Sequence, residues 1–167
     1  NIPIEVTAPD NITKGTYNLA ITRTPKTNSN LSSFIVSGAS LSPSFNANKL
    51  SYTDTVPFSR QSVKLRASKS DGDATMSYNF AHLTTINRKS LEKKSATDDV
   101  IPILKPPVFD PGFNFPIWVT KASGSLTNNV YTSDLDLQVG ENRIQTIVVA
   151  EDGKTKKTYE ALIYRRK

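Results

Sequence analysis

The sequence predicts an all-β fold, an antiparallel sandwich, and three observations carry that prediction. First, polar and apolar residues alternate along short runs. "VKLRA" sets Val63, Leu65 and Ala67 against Lys64 and Arg66, "MSYNF" sets Met76, Tyr78 and Phe80 on one side, and "DLDLQV" sets Leu135, Leu137 and Val139 against Asp134, Asp136 and Gln138. Period-two alternation of this kind buries one face of each strand. Second, turn residues punctuate these runs at short spacing. Third, no stretch carries the period of an amphipathic helix, and the absence of βαβ patterning argues against a parallel α/β fold.

The chain also ends nearly as it begins. Ala8, Asp10, Thr13, Lys14, Thr16, Tyr17, Ile21 and Arg23 recur, with no gap, as Ala150, Asp152, Thr155, Lys156, Thr158, Tyr159, Ile163 and Arg165. A self-match at constant spacing is a mark of tandem repeats. Both copies read as strand, turn, strand, and Asn11 stands where Gly153 stands, two residue types that tolerate φ > 0. Residues 1–23 are therefore expected to be the last hairpin of a preceding repeat, 24–30 ("TPKTNSN") a linker, and 31–167 one sandwich domain. An isolated hairpin is marginal in water, and this one has Ile4, Val6, Tyr17, Leu19 and Ile21 to cover. It is expected to be ordered and to dock at an edge, on its own domain or on a neighbouring copy.

Within 31–167, Leu31, Phe34, Val36 and Leu41 seed one edge of the core, and Pro43 holds Ser42 extended where the first strand ends. Phe45, Tyr52 and Val56 anchor the second strand, which Pro57 stops. Asp54 falls where the alternation calls for an apolar side chain. A buried, unpaired carboxylate is costly, so Asp54 is expected to be paired, at a strand edge or at a bulge. Gly140 supplies a turn, and Asn142 is expected to bond local backbone there. "RIQTIVVA" and "TYEALIYR" are the two longest strand candidates, with Tyr159 and Ile163 expected to be buried opposite Val148 and Ile144.

Residues 31–68 resemble the opening half of the bacterial-type cadherin-like β-sandwich domain, through "LSSFIVSGASLSPSF", "SYTDTVP" and "VKLRA". Residues 137–165 resemble its closing half, through "LQVGEN", "AEDG" and "TYEALIYR". The resemblance implies an immunoglobulin-like extracellular repeat that is non-catalytic and carries no cofactor. Against that pattern, 69–133 reads as a long insertion. It holds Pro102, Pro106, Pro107, Pro111 and Pro116 as well as the single His, Met and Trp. Long loops without regular structure are commonly functional or disordered, and the aromatic content here argues against plain disorder. True cadherins stiffen their junctions with calcium, whereas the linker 24–30 contains Lys26 and no acid.

Chemistry finds few candidates in these residues. The chain of 167 residues has no cysteine, which excludes thiolate sites, and its one histidine, His82, gives little support to a Ser-His-Asp or zinc constellation. Asp134 and Asp136 share a strand face that the leucines assign to solvent, which argues against a glycosidase pair. "SDGD" (70–73) reads as a turn rather than a calcium loop, and neither hydrolysis nor tight metal binding is expected. The net charge is +6, most of it from residues 154–167. Those cations sit at the two ends of one predicted strand, roughly 23 Å apart, which suits a solvated surface better than a nucleic-acid stripe. The longest apolar runs are too short to span a bilayer, and no direct membrane insertion is expected. No signal peptide opens the chain, as expected of a mature or excised segment.

The best binding candidate is "FDPGFNFPIWV", where Phe109, Phe113, Phe115 and Trp118 cluster among prolines. Aromatic rings on preorganised loops suit glycan and protein surfaces alike, although they could equally close one end of the sandwich. Two glycosylation sequons, at Asn11 and Asn30, matter only in a eukaryotic source. The function expected is an adhesive or spacer module, extracellular or at the cell surface, whose partners are neighbouring repeats, a glycan or a surface protein. The alternatives are a carbohydrate-binding module of a secreted polysaccharide-degrading enzyme, or a surface-filament subunit joined by strand complementation.

Overall fold

Alternation becomes sheet along nearly the whole chain. The computed structural model describes residues 1–87 and 114–167, and among these there is no helix. The strands are β1 (Ile2–Thr7), β2 (Lys14–Leu19), β3 (Leu31–Ser37), β4 (Ser51–Val56), β5 (Ser62–Lys69), β6 (Thr75–Asn87), β7 (Asn114–Ser125), β8 (Leu135–Asp136), β9 (Gly140–Val149) and β10 (Lys156–Arg165). A five-stranded sheet in the order β4-β10-β9-β6-β7 faces a three-stranded sheet, β3-β5-β8, and β1-β2 forms a hairpin of its own. All described pairings are antiparallel except β4 with β10, which run parallel.

The core lies between the two larger sheets. Phe34 from β3 meets Tyr52 at 5.6 Å and Tyr159 at 6.3 Å between ring centroids, and Phe45 packs on both tyrosines. Leu31, Leu65, Ile144, Val148 and Ile163 are fully buried around them, each removing apolar surface worth roughly 1.5–3 kcal/mol. Tyr159 and Ile163 are buried as expected, but their partners differ. Tyr159 pairs with Thr146 and Ile163 with Asn142, while Val148 and Ile144 pair with Lys157 and Ala161. The turn bond from Ala150 N to Thr155 O sets that register.

Local devices read from the sequence take their places. Asn142, with no exposed surface, accepts the Gln138 amide at 2.9 Å and donates to the carbonyls of Gln138, Gly140 and Ile163. Gly140 has φ 97°, a conformation that only glycine adopts without strain. Asp54 lies on β4, an edge strand, and accepts the Ser40 amide at 2.7 Å. The Ser42–Pro43 peptide is cis. Segment 69–133, read from the sequence as an insertion, supplies β6 and β7. β6 runs between β9 and β7, and its Met76 and Phe80 belong to the core.

The terminal hairpin is ordered as two paired strands, Ile2 opposite Leu19 through Thr7 opposite Lys14. Both of its faces are exposed, so it does not dock on its own sandwich. The linker, by contrast, is latched to the domain. Lys26 donates its amide to Glu151 at 2.9 Å and accepts the Asp152 amide at 3.2 Å. Its ammonium reaches Asp73 at 2.9 Å and Asp71 at 3.2 Å, and Arg23 pairs with Glu151.

Candidate functional site

Of the four aromatic residues singled out in the sequence, Phe109 and Phe113 lie outside the described residues. Phe115 is placed on β7 opposite Ile86, and Trp118 is on the same strand opposite Leu83. Trp118 is half-buried on the outer face of the five-stranded sheet. Arg143 of β9 pairs with Ala81 of β6, so its guanidinium reaches diagonally across β6 to lie 4.4 Å from the Trp118 ring centroid. Stacking of this kind suits the planar, weakly hydrated guanidinium. Sequence reasoning missed Arg143. The only signal was its outward phase on "RIQTIVVA", and nothing in that phase names a partner two strands away.

Two buried polar atoms on this same face, Arg143 Nε and Asn79 Oδ1, have no hydrogen-bond partner among the described residues. Each is closed off from solvent, where only a small internal water could satisfy it. The indole and the guanidinium stacked on it make a platform of ring and cation rather than a pocket.

The remaining candidates are engaged in structure. His82 Nε2 lies 2.8 Å from the Asp136 carbonyl, and its ring meets Phe80 edge-on at 5.0 Å. Burial holds its pKa below the usual 6.5. Asp134 accepts the Ser62 hydroxyl and pairs loosely with Lys64 at 3.7 Å. In "SDGD", Asp71 accepts the Asp73 amide at 3.1 Å, a turn in which both carboxylates also face Lys26. That amide, followed by the Lys26 ammonium, lowers the Asp71 pKa against the opposing effect of burial. Among the described residues no group of three His, Cys, Asp or Glu is placed to hold a metal.

Arg165 is tied to the Phe58 and Leu137 carbonyls and lies over the Phe58 ring. A shallow cleft of about 220 Å³ opens between Tyr78, Leu126 and Tyr131, smaller than a typical small-molecule site. No described helix is long and apolar enough to cross a membrane.

A family model, that of the cadherin-like beta sandwich domain, matches residues 114–166. The match takes in β7 to β10, hence the whole closing half that carried the resemblance in the sequence, and leaves 31–68 outside it. A search of curated proteins gave no match. A domain of this kind is typically a structural or adhesion-type module, non-catalytic and found in extracellular proteins.

Proposed function

We propose that the chain is a non-catalytic spacer and adhesion module of a cell-surface or secreted multidomain protein. The observation that carries this reading is how the reactive side chains are used: His82, Asp71, Asp73 and Asp134 are each bonded to backbone or to a neighbouring side chain that holds the fold together. The family match over β7 to β10 supports it. Brief protease treatment of intact producing cells, followed by peptide mapping, tests the reading. Release of peptides from residues 1–30 by a protease that cannot enter the cell is expected, and full protection until lysis would refute it.

A second reading, carbohydrate binding, is favoured by the Trp118–Arg143 platform on the outer face of the five-stranded sheet. Sugars stack on exposed indoles and hydrogen-bond to flanking polar groups. Binding on a glycan array that disappears with Trp118→Ala, while the fold is retained, would support it. Silence of the wild-type chain across the array would leave the module a spacer.

A further inference from the structure

The two turns that match in sequence match bond for bond in structure. In the first, Ala8 N donates to Thr13 O and Asn11 N to Ala8 O. In the second, Ala150 N donates to Thr155 O and Gly153 N to Ala150 O. Asp10 accepts the amides of Ile12 and Thr13 and the Thr13 hydroxyl, as Asp152 accepts those of Lys154 and Thr155 and the Thr155 hydroxyl. Asn11 has φ 56° and Gly153 φ 66°. The strand registers agree too, Ile4 opposite Tyr17 as Thr146 is opposite Tyr159.

Superposing β1-β2 on β9-β10 through this correspondence gives each face a counterpart. Ile144, Val148, Tyr159 and Ile163 are 0% exposed, covered by the rest of the sandwich. Their counterparts Ile2, Val6, Tyr17 and Ile21 are 52%, 51%, 67% and 70% exposed. The opposite face of the hairpin is polar, with Glu5 and Lys14 paired at 2.7 Å, just as one face of β9-β10 points to solvent. The hairpin is thus built for one-sided burial, and among the described residues nothing covers its apolar side.

We infer that this face is the docking surface for the earlier strands of a preceding sandwich, a domain encoded N-terminal to Asn1 that is complete except for its closing hairpin. The occupant follows from the template within the chain, where the same hairpin is covered by a Phe- and Leu-bearing sheet and flanked by the parallel β4 on the β10 side and the antiparallel β6 on the β9 side. A second copy of this chain does not fit, because its corresponding slot already holds its own β9-β10. The edges narrow the arrangement further. Counting the ladder back from the Ala8–Thr13 bond, residue 3 is one whose amide faces away from β2, so Pro3, the counterpart of Gln145, costs a β6-like strand one ladder bond on that edge. The β2 edge is intact, and it is the edge that takes a parallel strand in the template.

The inference stands on the paired turns and holds whether or not the module is adhesive. Hydrogen exchange tests it in two chains, residues 1–167 and the parent protein extended upstream by about 120 residues, one domain's length. Amides of Tyr17, Leu19 and Ile21 are expected to exchange at least ~100-fold more slowly in the extended chain, as core strands do. In that chain Tyr17→Asp is expected to remove the protection, with 31–167 melting unchanged. Equal exchange in the two chains would overturn the inference. So would protection of 1–167 that rises with its concentration, which would assign the face to a second copy, and so would an upstream sequence without alternating strands.

Discussion

The Tyr159 hydroxyl accepts the Leu31 amide at 3.2 Å and donates to the Ala47 carbonyl at 2.7 Å, so a residue of the last strand holds the first strand of the sandwich. The phenol spans the core with its ring against Phe34 and Phe45 and its polar end satisfied by backbone from two separate segments.

Tyr159→Ala should therefore cost roughly 3–5 kcal/mol, the range for large core aromatics. Tyr159→Phe keeps the ring and orphans Leu31 N, and should cost about 1–3 kcal/mol. Urea unfolding of both variants checks this, and a loss below about 1 kcal/mol for the alanine variant would contradict the packing described.

Asn142 holds four backbone groups with one buried amide. Asn142→Ala should cost about 3 kcal/mol because those groups lose their partners away from water. Asn142→Asp removes the two donors and should be no better tolerated. Denaturation midpoints at fixed m-value measure both.

The twin turns make a titration prediction. The Thr13 hydroxyl, then the amides of Thr13 and Ile12, hold the Asp10 pKa at about 2. The Thr155 hydroxyl and the amides of Thr155 and Lys154 lower that of Asp152 in the same way. Both carboxylates should titrate below the ordinary Asp value in NMR, and Thr13→Ala should move Asp10, but not Asp152, back toward it.

The Lys26 latch should depend on pH at both extremes. Asp71 has a depressed pKa when folded, so its contribution is present above the unfolded value of 3.8 and is lost as pH falls through the lower, folded one. Lys26 has a raised pKa, chiefly from Asp73 and Asp71, so its contribution is complete below 10.5 and is lost as pH rises through the folded value. Exchange protection of the Asp152 amide, bonded to Lys26 O, should be flat between these limits and fall outside them. Protection that stays flat in acid until the whole domain unfolds would rule out the latch.

Much of this molecule was legible in its residues, and the limits of legibility are physical. Face is written in alternation, so the burial of Leu65, Phe80 and Ile144 could be read directly. Register is set by the turn, and so alternation puts Tyr159 on the right face without naming Thr146 as its neighbour. Asn11 and Gly153 betrayed the turns because few residues accept positive φ. Arg143 over Trp118, by contrast, joins strands that are not neighbours, and no local pattern encodes it. The acids that meet Lys26 likewise come from Asp71, Asp73 and Glu151, remote from the linker in sequence though adjacent in space.

The parallel pairing of β10 with β4 has a mechanical consequence. Tension arriving at Lys167 pulls β10 along its own axis, while β4 on one side and β9 on the other grip it from Glu160 to Arg165. The bonds of both ladders lie across the direction of pull, so they share the load and must yield together. A strand peeled from one end would instead surrender its bonds singly. Drawn between its two ends in an optical trap, the sandwich should yield at a higher force than when it is peeled across the β9-β10 hairpin. A protein strung from such units would transmit a steady pull without lengthening, behaving as a rope rather than a spring.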